Sequence, residues 1–130
     1  RYLSAPRVQD AEIPDSITKL SKLVYLNLHG SPALLALPES IGEIEGLMYL
    51  DLSSCSRIKK LPESFRRLQK LVHLDLSDCS SVEGISVFLE SLTQLEYLNL
   101  SRCPNIGDIR DALGGLSKLQ YLNLRHNSYI

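Results

Sequence analysis

A chain of 130 residues with a net charge of −1 and a pI near 6.3 has nothing in its overall charge to draw it to nucleic acid or to an anionic membrane. Hydrophobic residues make up 44% and charged residues 22%, an ordinary globular balance; with no Trp and 6% aromatic residues, aliphatic side chains must do the packing. No apolar run approaches the about 18 residues of a membrane span, and Arg1 to Pro6 lack the continuous apolar stretch of a signal peptide.

Taken in chain order, the first 22 residues read as a degraded unit of a repeat. Leu3, Ala5, Val8 and Ala11 stand 23 residues before Leu26, Leu28, Ser31 and Leu34. Ile13, Ile17 and Leu20 stand 24 before Leu37, Ile41 and Ile44, which places a one-residue deletion between the two blocks. Full units then open at Leu23, Leu47, Leu71 and Leu95, and a partial unit runs from Leu119 to Ile130. Their openings are LVYLNL, LMYLDL, LVHLDL, LEYLNL and LQYLNL, with a constant spacing of 24. The period continues through Leu34, Ile58, Val82 and Ile106 and through three further apolar columns. A fixed period of this size signals stacked units, each unable to bury its apolar face alone. All 130 residues are read as one domain, expected to be a fragment of a larger protein.

Each opening predicts a short strand. Leu26 and Leu28 point to one face while Tyr25 and Asn27 point to the other. The position of Cys55, Cys79, Cys103 and Asn127 points inward after the strand, with Val8 and Ser31 as its odd members. A Pro-marked segment follows at Pro14, Pro38 and Pro62, each with an acid next to it, and predicts one or two helical turns, some of them 3₁₀. Ser86 and Arg110 replace that Pro in the next two units, so those turns are either more regular helix or looser.

The pattern LxxLxLxx(C/N)xx(I/L), in phase over nearly the whole chain, resembles the leucine-rich-repeat family. The resemblance implies an α/β fold: a right-handed leucine-rich-repeat solenoid with a parallel β-sheet on the concave face and short helical or 3₁₀ turns on the convex face. It also implies that the Cys/Asn position satisfies backbone groups in the turn leaving the strand. Residues 47–70, with LSSC at 52–55 and IKKLPESF at 58–65, resemble plant intracellular nucleotide-binding leucine-rich-repeat (disease resistance) proteins. That likeness implies a ligand-sensing and autoinhibitory region of a cytoplasmic immune receptor, without enzymatic activity or cofactor. The partner would be a pathogen effector, a host target or the receptor's own nucleotide-binding domain. GGLSK at 114–118 is not a GxxxxGK[ST] phosphate loop, so any nucleotide switch lies outside this chain. CPNIGD at 103–108 is similar to the repeats of F-box ubiquitin-ligase adaptors, which makes a substrate-binding region the alternative. A scaffold repeat with no dedicated ligand is the third reading.

The concave face can be read column by column. Tyr25, Tyr49, His73, Tyr97 and Tyr121 form one ladder; Asn27, Asp51, Asp75, Asn99 and Asn123 form the next. Beyond them come His29 and Arg125, in the column of Ser53, Ser77 and Ser101, then Asp78 and Arg102. Rings on strands about 4.8 Å apart serve equally to bind a partner or to stiffen the sheet by stacking. Asp51 and Asp75, as neighbouring carboxylates, have the spacing of a retaining-glycosidase pair, but a flat sheet without a pocket signature favours a structural role. The 24-residue spacing of Cys55, Cys79 and Cys103 matches no metal site, so three free, buried thiols in a reducing compartment are expected. The Asn99-Leu100-Ser101 sequon follows from the repeat consensus. Arg57, Lys59, Lys60, Arg66, Arg67 and Lys70 cluster in one unit as a basic patch, either solvated or a docking surface for an acidic partner.

Overall fold

Strand-length segments with Leu at alternate positions line up edge to edge. In the computed structural model, which describes residues 1–127, they form one six-stranded parallel sheet in sequence order. The strands are β1 (Tyr2–Ser4), β2 (Tyr25–Asn27), β3 (Tyr49–Asp51), β4 (His73–Asp75), β5 (Tyr97–Asn99) and β6 (Tyr121–Asn123). The register follows the sequence period: Leu26, Leu50, Leu74, Leu98 and Leu122 are successive partners, and Leu3 pairs with Leu26. The units thus stack as a solenoid, with a continuous aliphatic core behind the sheet. Leu26, Leu50 and Leu98 are fully buried, whereas Leu122, on the last strand, is 40% exposed. No helix is long and apolar enough to cross a membrane among the described residues.

The form of the convex turns follows the presence of proline. Where it is present, 3₁₀ turns form at Asp15–Lys19, Ile41–Glu43 and Glu63–Arg67. The Pro14, Pro38 and Pro62 carbonyls accept the N–H groups of Ile17, Ile41 and Phe65, three residues on. Where Pro is absent, short α-helices form instead: α1 (Ser86–Leu89) and α2 (Arg110–Gly114). There Leu89 and Leu113 donate to the carbonyls of Ile85 and Ile109, four residues back. The choice that the sequence leaves open thus resolves to regular helix. Phe88, in the column of Ser40 and Ser64, is buried and meets Phe65 edge-on at 5.8 Å. The convex turns pack tightly, and Gly42 N–H donates to Ser64 Oγ at 2.9 Å.

The first unit departs from its expected alignment at one place. Val8 N–H bonds the Ser31 hydroxyl, as the 23-residue offset requires. Leu35 N–H, however, bonds the Ala11 carbonyl, the same link that Glu83 makes to Lys59. Ala11 therefore lies level with Leu35, not Leu34, and it is exposed. The deletion falls between Val8 and Ala11, earlier than hydrophobicity alone suggests, because alanine is small enough to sit on either side of the wall.

Candidate binding face

Every outward ring of the sheet is stacked on the next. Centroid separations are 4.1 Å for Tyr25–Tyr49, 4.2 Å for Tyr49–His73, 4.0 Å for His73–Tyr97 and 4.4 Å for Tyr97–Tyr121. Tyr2 extends the column at 5.1 Å from Tyr25. The binding column read from the repeats starting at Leu23 omits it, although the 23-residue offset of Leu3 to Leu26 locates it beside Tyr25. Parallel strand spacing brings the rings into contact and turns their edges and hydroxyls outward as one ridge. Burial, a hydrogen bond with Tyr25 and the charges of Asp51 and Asp75 push the Tyr49 hydroxyl pKa well up. Burial also raises that of Tyr97 and lowers that of His73, the latter against the opposing pull of Asp75 and Asp51.

The adjacent column is occupied structurally as well as exposed. Asn27, Asp51, Asp75, Asn99 and Asn123 each accept, through Oδ1, the backbone N–H two residues on, at 2.9–3.0 Å. Such Asx turns complete the backbone bonding at the strand exit. Asp51 and Asp75 also accept the hydroxyls of Ser53 and Ser77, so each carboxylate is held by its own unit. His29 Nδ1 shares a hydrogen bond with Ser53 Oγ at 2.6 Å. Among the recesses of the described residues, one is an apolar cleft of about 500 Å³ at the first unit, lined by Leu3, Ile13 and Ile17, away from the two carboxylates. Another, of about 360 Å³, lies by Arg102 and Arg125.

The next residue along turns the chain. Arg7, Gly30, Ser54, Asp78, Arg102 and His126 all adopt positive φ, between 55° and 67°. Glycine is at ease there; the others occupy the left-handed region at a cost. Asp78 and Arg102, neighbours in this column, approach to 3.8 Å.

Behind that bend the three thiols are unpaired and buried. Cys55, Cys79 and Cys103 donate to the carbonyls of Leu28, Leu52 and Leu76, at 3.3, 3.0 and 2.8 Å. Asn127 reaches the equivalent Leu100 carbonyl and also accepts the Cys103 N–H. Ser31 instead donates to Leu28 of its own unit. Burial pushes all three thiol pKa values up, that of Cys103 to about 11. Among the described residues no cluster of His, Cys, Asp and Glu has the makings of a metal site.

The basic cluster is partly engaged. Arg66 pairs with Glu63 at 3.1 Å and lies over the Phe88 ring, and Arg67 pairs with Glu45 at 2.8 Å. Arg57, Lys59, Lys60 and Lys70 are exposed and make no ion pair among the described residues.

Residues 3–129 match the family described as a leucine-rich repeat region. Nothing matches among the curated proteins. Similar solved structures include a leucine-rich-repeat protein of Leptospira interrogans, with 29% identity and a TM-score of 0.77 over 93% of this chain. Internalin C2 of Listeria monocytogenes has 25% identity and a TM-score of 0.73 over 93% of the chain. The plant peptide hormone receptor RGFR1, solved in complex with RGF2, shares 20% identity at a TM-score of 0.62 over 95% of the chain, a likeness of fold alone. This chain spans 29%, 50% and 24% of those three proteins respectively. Six in-register strands, an inward Leu at every repeat and a matching family model leave one assignment: the chain belongs to the leucine-rich-repeat family.

Proposed function

We propose that the concave face of this chain binds a protein partner, as the ligand-sensing and autoinhibitory region of a plant intracellular immune receptor. Leucine-rich-repeat regions serve generally in protein–protein recognition. The observation that carries the reading here is the unbroken ridge of stacked rings from Tyr2 to Tyr121, half-exposed and flanked by a pre-ordered polar row. Tyr concentrates binding energy at interfaces, and rings already held by their neighbours lose little freedom on binding. The immune-receptor part rests on the LSSC and LPESF segments of residues 47–70, and three unpaired thiols suit the cytoplasm. The partner is a pathogen effector, a host target or the receptor's own nucleotide-binding domain. For the last, Arg57, Lys59, Lys60 and Lys70, which make no ion pair among the described residues, offer an electrostatic contact.

Two measurements test this. Sequencing the parent transcript upstream of Arg1 should reveal a phosphate-binding loop; an F-box there would transfer the chain to a ubiquitin-ligase adaptor, and a signal peptide would refute the cytoplasmic assignment. In the intact protein, Tyr49→Ala with Tyr97→Ala should weaken partner binding at least tenfold with the fold retained. Unchanged affinity would remove the ridge from the interface.

A further inference from the structure

The concave face changes character between its middle and its last strands. In the units of β3 and β4 the polar column is Asp51 and Asp75, each taking the hydroxyl of the serine two residues on. In the units of β5 and β6 it is Asn99 and Asn123. Asn99 accepts only the backbone N–H of Ser101, and the Ser101 hydroxyl has no partner among the described residues. The same step converts the flanking charges: Asp78 gives way to Arg102, and the serine column ends in Arg125 with His126 beside it. Arg102 N–H bonds the Arg125 carbonyl at 3.0 Å, which holds the two units level. Ser101, Arg102, Asn123, Arg125 and His126 line a recess of about 360 Å³. Among the described residues Asp78 lies 3.8 Å from the Arg102 guanidinium with both side chains substantially exposed, a weak competitor.

We infer that this recess is an anion subsite of the binding face, built for the phosphoryl group of a phosphorylated residue on a protein partner. Two arginines, a serine with an unengaged hydroxyl and a histidine line it, a donor set matched to a group with several acceptor oxygens and up to two negative charges. Guanidinium forks suit phosphate by geometry as well as by charge. The inference rests on the proposed role of the concave face, and its test needs no natural partner.

The probes are inorganic phosphate and a pair of short peptides, one with phosphoserine and one with serine, titrated calorimetrically into the intact protein. The difference between wild type and the Arg102→Gln/Arg125→Gln double variant isolates this site from any other. The phosphopeptide and phosphate should both saturate a site on wild type that the double variant weakens at least tenfold, with the serine peptide silent. Asp78→Asn should tighten it two- to threefold, a gain that a misfolded variant cannot produce. Equal binding by wild type and double variant overturns the site. Binding of free phosphate without the phosphopeptide overturns its assignment to a modified protein. Either failure leaves the tyrosine-ridge test untouched.

Discussion

The imidazole of His73 lies 4.0 Å from the ring of Tyr97, with the two planes 6° apart, and takes the place of a tyrosine in the column. The two ladder rings that enclose it withdraw it from water and disfavour its charged form, which lowers its pKa despite Asp75 and Asp51. An unfolded histidine titrates near pH 6.5. Between that value and the lower folded one, the unfolded state binds more protons. Stability is therefore complete above about pH 6.5 and falls as pH drops from there through the folded value. Denaturant midpoints from pH 8 to pH 5 should show this decline, and His73→Tyr should flatten it. An identical decline in both proteins would assign the effect to other groups.

Asp51 holds its turn as a hydrogen-bond acceptor. Its Oδ1 takes the Ser53 N–H at 2.9 Å, the role that Asn27 and Asn99 fill without charge. Asp51→Asn should change stability little. Asp51→Ala leaves the Ser53 amide and hydroxyl without their acceptor and should cost about 1–3 kcal/mol by urea unfolding. Equal losses in the two variants would make the charge itself the stabilising element.

Gly42 is required by packing. A Cβ at this position would stand 2.0 Å from the Ser64 carbonyl oxygen, which is backbone and cannot rotate away. Gly42→Ala should destabilise the protein by about 1–3 kcal/mol, the usual range for overpacking. Gly46, whose Cβ would meet nothing nearer than 4.0 Å, is the control, and Gly46→Ala should fall well below that loss.

Cys103 links two units by one bond from Sγ to the Leu76 carbonyl, and Asn127 does the same for Leu100 through its amide. Cys103→Val removes the donor and should cost about 1–3 kcal/mol, whereas Cys103→Asn should keep most of the stability. In the native protein at pH 8, iodoacetamide should leave all three thiols unmodified until the chain is unfolded, because each is buried with a raised pKa. Rapid native labelling would contradict their role as buried donors.

Much of this is legible in the sequence. A 24-residue period with Leu at alternate positions determines which residues share a column. In a parallel stack, a shared column means contact, so the strands, the core and the Tyr25–Tyr121 ladder followed. Tyr2 belongs to the same ladder, and the 23-residue offset of Leu3 to Leu26 already sets it beside Tyr25, whereas the deletion further on could not be located from Ala11. Proline at positions 14, 38 and 62 announced convex turns, while the α-helical form of α1 and α2 awaited the i−4 bonds of Leu89 and Leu113.

What the tertiary structure decided is which polar atom meets which. The period lists Asp51 beside Asp75 but does not say that each carboxylate turns back on its own Ser53 or Ser77 rather than facing its neighbour. Nor does it say that Arg66 and Arg67 find Glu63 and Glu45. Apolar burial is non-directional and tolerates any order of aliphatic side chains, so a pattern of residue types is enough to specify it. Hydrogen bonds and ion pairs depend on distance and angle at single atoms. Only the stacked units, brought into register by that burial, supply them.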